Sequence, residues 1–414
     1  MKLTTILLAA VAAVAIWPAR ANAEEFAESV AQRIASLASF ASLENFAPSC
    51  TNPVPAEDTC CSDGRCGSCT HCCRQMDIWG SAEFLLWWAK GGVTPALVTT
   101  SPSGTPQGAA GVLPGAEVLF GRSYLGDQVQ AGGRVTLGIW LDEAHNVGAG
   151  GRFYATTGHS DSFTSSGEEI LARPFFNVLL DQNDSLLVNF PGVVSGELEA
   201  DYSNENFLGA EAFMTIMMQR NRCRRIDLIG GYQFLRLDDR LIIDSTHNIT
   251  QAGVQLDIRD HFAAQNEFHG GQIGLRGQMM RGCWSLDALG KVALGSMRQE
   301  VSISGRTQVA PGANFEGGLL ALPTNIGEHQ RDKFAWIPEM TLNLRYHATP
   351  NVSFHVGYTI LWISDVVTSG RHIDTGVNPT QIGGPLVGPA RPAFDFQDES
   401  YWLQGINFGV NWDF

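Results

Sequence analysis

From Ile78 to the carboxyl terminus, apolar and polar residues alternate with a period of two, in segments joined in turn by very short and very long connections. Alternation of this kind is the mark of strands with one apolar and one polar face, because successive side chains of a strand point to opposite sides. The cleanest segment is Ala335 to His347, where Trp336, Met340, Leu342, Leu344 and Tyr346 alternate with Glu339, Thr341, Asn343, Arg345 and His347. Val352 to Trp362 repeats the pattern after the turn Ala348-Thr349-Pro350-Asn351, so the two predict a tight antiparallel hairpin. Other short turns fall at Asp142 to Val147, Arg220-Asn221-Arg222 and Met280-Arg281-Gly282, and long connections at 91–131, 161–200, 238–265, 303–332 and 364–399. Short turns at one end and long loops at the other are the two sides of an antiparallel transmembrane β-barrel. About ten strands are expected, at 78–90, 132–142, 147–160, 201–219, 223–237, 266–279, 283–301, 333–347, 351–363 and 400–414, with 10–14 if the long connections add more. An even count returns both ends of the barrel to the periplasmic side.

The last segment carries a further signal. Trp402, Ile406, Phe408, Val410, Trp412 and Phe414 share one face, and Tyr401, Gly405, Asn407, Gly409, Asn411 and Asp413 the other. Its end, with Asn407, Gly409, Trp412 and Phe414, resembles the terminal signal read by the barrel-insertion machinery, which is thereby an expected partner together with outer-membrane lipid. Phe414 should end the strand that pairs with the one near Trp79.

The amino terminus reads as a secretory signal peptide over 1–23: Lys2, an apolar run from Ile6 to Trp17, and Ala21-Asn22-Ala23 before Glu24 and Glu25. That run is too short to span a bilayer comfortably, and no cysteine follows it closely enough for lipid anchoring. Further on there is no run of about eighteen apolar residues, so a membrane-spanning helix is excluded on length. Losing Lys2 and Arg20 with the signal takes the formal charge from -15 to -17. So acidic a chain disfavours nucleic acid as a partner and suits divalent cations at a cell surface.

Residues 24–46 place Phe26, Val30, Ile34, Leu37 and Ala41 at steps of three and four, which predicts a short amphipathic helix on the periplasmic side. A cysteine-rich periplasmic segment, 47–77, follows, with Cys50, Cys60, Cys61, Cys66, Cys69, Cys72 and Cys73. Cys66, Cys69 and Cys72 have metal-ligand spacing beside His71, but an oxidising compartment favours a disulfide knot, and neither metal nor cofactor is expected. The odd sulfur offers a cross-link to another envelope protein. Cys223 and Cys283 each open a strand after a short basic turn, at one height, and either pair with each other or engage that odd sulfur.

Several stretches resemble the putative β-barrel porin family numbered seven in its naming series. They are Trp79-Gly80-Ser81-Ala82-Glu83-Phe84-Leu85-Leu86-Trp87-Trp88, Leu97-Val98-Thr99-Thr100-Ser101, Leu171-Ala172-Arg173-Pro174-Phe175-Phe176 and Phe190-Pro191-Gly192-Val193-Val194-Ser195-Gly196. Gly231-Tyr232-Gln233-Phe234-Leu235-Arg236-Leu237-Asp238, Ile373-Asp374 and Val377-Asn378-Pro379-Thr380-Gln381 are similar too, so the likeness runs through 78–414. It implies an outer-membrane barrel and assigns no catalytic residue.

Strand parity turns Glu83, Arg134, Arg152, Glu211, Arg225, Asp227, Asp287, Lys291, Glu339, Arg345 and His355 toward the lumen. Such mixed charges serve either a constriction that selects solutes or a filled interior whose charges pair with one another. About eight strands leave room only for side chains, whereas about sixteen leave a channel. Ten therefore favours filling unless segments such as Ile170 to Leu180 and Ser185 to Val194 widen the ring. Gly158-His159-Ser160-Asp161-Ser162 lacks the final glycine of a nucleophile elbow and reads as a loop, so no enzyme is expected. Asn378 to Pro392 either plugs the barrel or forms an ordered surface loop, the commoner outcome. The function expected is porin-like passage of small solutes. The alternative is a structural or adhesive envelope protein with a filled barrel.

Overall fold

The computed structural model describes residues 77–413 apart from 166, 205, 206 and 383. The expected signal peptide, amphipathic helix, cysteines 50 to 73 and Phe414 lie outside the described residues. Ten strands form one antiparallel ring: β1 (Ile78–Ala89), β2 (Val129–Trp140), β3 (Val147–Thr156), β4 (Leu208–Arg220), β5 (Arg224–Ile249), β6 (Val254–Arg281), β7 (Trp284–Ala310), β8 (Gly327–His347), β9 (Val352–Val366) and β10 (Glu399–Asp413). Each pairs with the next in sequence, and β10 closes onto β1 with Trp79 opposite Asp413 and Ala89 opposite Leu403. Closure leaves no open edge within the ring, so its backbone groups are satisfied without water.

The four short turns lie where the sequence puts them, all at one end. The long connections differ. β5, β6 and β7 run for 26, 28 and 27 residues, through most of the stretch expected to be a loop at 238–265 and into the start of the one at 303–332. A bilayer needs only about 9–11 residues of a tilted strand, so these walls stand well clear of it. Their outer faces mark the change. Ile226, Tyr232, Ile273, Leu275, Met279 and Leu294 are exposed and apolar, whereas Arg236, Arg240, Glu267, Arg298 and Asp332 cover the same face farther from the turns. Aromatic pairs bracket the apolar band, Trp284 with Tyr346 at 5.0 Å by the turns and Trp336 with Trp362 at 4.7 Å at the far side. Amphipathic rings at both limits of an apolar band match the two interfaces of a bilayer.

The single strand expected at 201–219 is two. Val194–Asn204 pairs with the outer half of β5, and β4 starts afresh at Leu208. The break falls where the ring must hand over from membrane wall to outer wall. The segments around 170–180 and 185–194 do form strands, Leu171–Asn177 and Gln182–Asn189. They pair with each other and with Ala96–Thr100 in a separate small sheet, so the ring stays at ten.

That small sheet caps the far end. Leu97, Val98, Leu171 and Val188 from the cap meet Leu241, Ile243, Phe262, Val301 and Ile303 from the tall wall in one buried core. A buried ion pair, Arg173 to Asp260, ties the two together, and Asp260 also accepts from the backbone N–H groups of Leu320 (3.0 Å) and Ala321 (2.7 Å). Residues 366–372 cross beneath the cap. Asn266 clamps Val367 through both amide atoms at 2.8 Å, while Asp239 accepts from Ser369 N (3.0 Å) and Ser369 Oγ (2.6 Å). The stretch expected to form a surface loop at 378–392 divides: Asn378 and Gln381 are buried in the cap, and 384–391 is exposed.

Candidate functional site: a charged floor beneath an apolar septum

The structure places all eleven lumen candidates inside the ring and on its turn-side half, many of them directly opposite one another on neighbouring strands. Glu83 faces Arg134, Arg152 faces Glu211, Lys291 faces Glu339, and Arg345 faces His355. Cross-strand registration of opposite charges is the sheet's own means of pairing inward ions. Four of them close into an alternating square across the lumen. Arg152 binds Glu211 and reaches Glu339 at 2.7 Å, while Lys291 binds Glu211 at 2.7 Å and Glu339 at 3.1 Å. Lys291 also donates to Gln272 Oε1 at 2.8 Å. All four side chains are buried, so each ion's loss of hydration is offset only by its neighbours.

Beside the square, Arg134 holds Glu83, and His355 Nε2 stands 3.4 Å from the same carboxylate. Arg225 and Asp227 do not join this network; they pair locally at 2.8 Å nearer the turns. Below the floor opens a cavity of about 530 Å³, reaching the turns at Asp77, His145 and Asn351. Asp287 lies on its wall with Arg345 Nε at 3.2 Å and Arg276 at 3.7 Å.

Above the floor the lumen is apolar. Leu85 and Trp87 of β1, Tyr154 of β3, Leu235 of β5, Phe268 of β6, Met297 of β7, Ile337 of β8, Leu361 of β9 and Leu403 of β10 meet in one cluster, each at most 1 % exposed. Phe207, just before β4, joins them. Trp87 is oriented by donating Nε1–H to Asn407 Oδ1 at 3.0 Å, and Asn407 in turn donates to Thr359 at 2.9 Å. The Phe268 ring lies over Gly270, where any Cβ would collide with it. This layer draws side chains from eight of the ten strands of the ring.

Sequence reasoning passed over Gln233, Gln272, Arg276, Trp79 and Trp140, which share the inward parity of their strands and line or support the same interior. Parity was the available signal for all five, and for Arg276 charge as well. Asn407 of the terminal signal is an interior hydrogen-bonding residue, Gly409 stands inward opposite His355, and Trp412 lies across from Gly80. Cys283 is an exposed free thiol, so a Cys223–Cys283 disulfide does not form. Gly158 to Ser162 enters an outer strand, His159–Ser165, where Asp161 accepts from Gly126 N at 2.6 Å and anchors that loop.

The model of the putative beta barrel porin-7 family matches residues 79–414. The chain belongs to that family. With the ring of ten strands, this places it among the outer-membrane β-barrels. No curated protein sequence matches it. Among solved structures it is similar to the outer membrane protease OmpT of Escherichia coli, at 10% identity over 82% of this chain and 97% of that one, with a TM-score of 0.42. It is also similar to a FadL homologue of Pseudomonas aeruginosa (7% identity, 82% and 90% covered, TM-score 0.21) and to the channel DcaP of Acinetobacter baumannii (7%, 82% and 97%, 0.14). Likenesses this loose carry no functional argument.

Proposed function

We propose that this family member is a sealed outer-membrane barrel, an envelope protein whose capped outer half serves structural or adhesive contacts, rather than a steadily open porin. The observation that carries the reading is the apolar septum: side chains from around the ring fill the lumen between a charged floor and a docked cap. An ion crossing it would shed its hydration shell into hydrocarbon, at a cost that dwarfs thermal energy. Passive passage of small solutes is the competing reading, and it needs this layer to part. The turn end, where both termini of the ring lie, faces the periplasm in this reading, and the cap faces outward.

Planar bilayers test it. Folded wild-type protein is expected to give no steady ion conductance, and the combined variant Trp87→Ala, Phe268→Ala, Met297→Ala to give discrete conductance steps. Sustained conductance from the wild type would establish the porin reading instead.

A further inference from the structure

The vestibule below the charged floor has two unlike walls. On one side Trp79 of β1, Trp140 of β2 and Phe213 of β4 point inward, with Trp79 centred 6.1 Å from Trp140 and 6.2 Å from Phe213. Trp79 lies across Gly138, whose missing side chain makes room for the ring. Trp140 is held from its own side by His145, stacked at 5.1 Å, and by Arg225 at 4.6 Å. The opposite wall is polar, built from Asp287, Asn343 and Arg345.

Around this one cavity, several buried polar atoms of the described residues have no hydrogen-bond partner. They include a donor on the aromatic wall, Trp79 Nε1, and on the polar wall the acceptors Asn343 Oδ1 and both oxygens of Asp287, with the donor Arg345 Nε. Arg345 and Arg276 approach Asp287 as charges, without hydrogen-bond angles. Asp287 and Arg345 are only 4% and 8% exposed, so these groups gain little from bulk water.

We infer that the vestibule binds a small neutral carbohydrate of one or two rings. Its volume of about 530 Å³ is that of a small-molecule site. The mixture of unmet donors and acceptors calls for groups that both give and accept a hydrogen bond, and the hydroxyl is such a group. A simple anion would leave Asp287 and Asn343 unmet and meet repulsion from Asp77, Glu83 and Asp413. A simple cation would leave Trp79 and Arg345 unmet and face Arg134 and Arg276. The aromatic wall supplies the flat apolar surface that the C–H face of a sugar ring requires. The site lies under the septum and fills whether or not the lumen conducts, so its failure leaves the sealed-barrel reading untouched.

The test is isothermal titration of the full-length protein in detergent micelles with glucose, N-acetylglucosamine and cellobiose, with glutamate and putrescine as charged controls. Saturable binding of at least one sugar is expected. Trp79→Phe, which keeps a ring and removes the N–H, should weaken it about tenfold, as should Asn343→Ala, while Phe408→Leu on the outer face leaves it unchanged. If Trp79→Phe lacks the gel mobility of a folded barrel, Asn343→Ala carries the same reading. Absence of saturable sugar binding, tighter binding of either charged control, or wild-type affinity in the folded vestibule variants would overturn the proposal.

Discussion

At the scale of single residues, the interior is governed by the cost of burying charge. The square of Arg152, Glu211, Lys291 and Glu339 is neutral as a set and stable only as a set. Lys291→Met would leave two carboxylates sharing one guanidinium, and a loss of about 3–5 kcal/mol is expected in urea titrations of the folded barrel. A loss below about 1 kcal/mol would mean that water already screens these groups. Asp239, on the outer wall, makes the opposite kind of statement. Burial pushes its carboxyl up to about 7 from the ordinary 3.8, against the hydrogen bonds from Ser369. Because the folded form holds its proton more tightly than the unfolded chain, its contribution to stability is full below about pH 4 and falls as pH rises to about 7. Thermal unfolding of wild type and Asp239→Asn should therefore diverge across that window, the wild type losing ground as pH rises; parallel profiles would remove this account.

At the scale of elements, what separates membrane wall from outer wall is which side chains a strand turns outward. On β6, Leu275 and Gln265 share the outer face, but Leu275 lies in the apolar band and Gln265 among charges. Leu275→Arg should destabilise the inserted barrel by about 2–4 kcal/mol and Gln265→Arg by almost nothing. Equal costs would place the band elsewhere. The same contrast explains why the sequence suggests loops where the long strands run. Past Phe234 the outward positions become Arg236, Asp238 and Arg240, which ends a lipid-facing pattern but not a strand, because inward Leu237 joins the septum and inward Leu241 and Ile243 join the core beneath the cap. A segment with a wet outside and a dry inside is an ordinary strand of a soluble sheet.

At the scale of the whole molecule, the protein is two structures on one sheet: a membrane ring and a water-soluble, capped outer half. Its orientation is open to direct measurement. Cys283 is exposed in the turn between β6 and β7, so a membrane-impermeant maleimide should label it only after the outer membrane is permeabilised, with Asp181→Cys in the cap labelled on intact cells. Labelling of Cys283 on intact cells would invert the topology.

Period-two alternation, short turns and an aromatic final strand were enough for the order of the ring, its antiparallel closure from Trp79 to Asp413, and the inward parity of Glu83, Arg152 and Lys291, because each follows from neighbours along the chain or from one face of one strand. A count of about ten favoured a filled lumen, but the long connections left the width of the ring open. Trp87, Phe268 and Met297 have the same inward parity as the charges below them, and nothing local distinguishes a residue facing water from one meeting its counterparts across the ring. The septum and the cap arise from contacts between strands far apart in sequence, and their existence depends on the ring's diameter and on the folding of Leu171–Asn177 and residues 366–372 over its mouth. Those are properties of the closed molecule, so tertiary structure alone decided them.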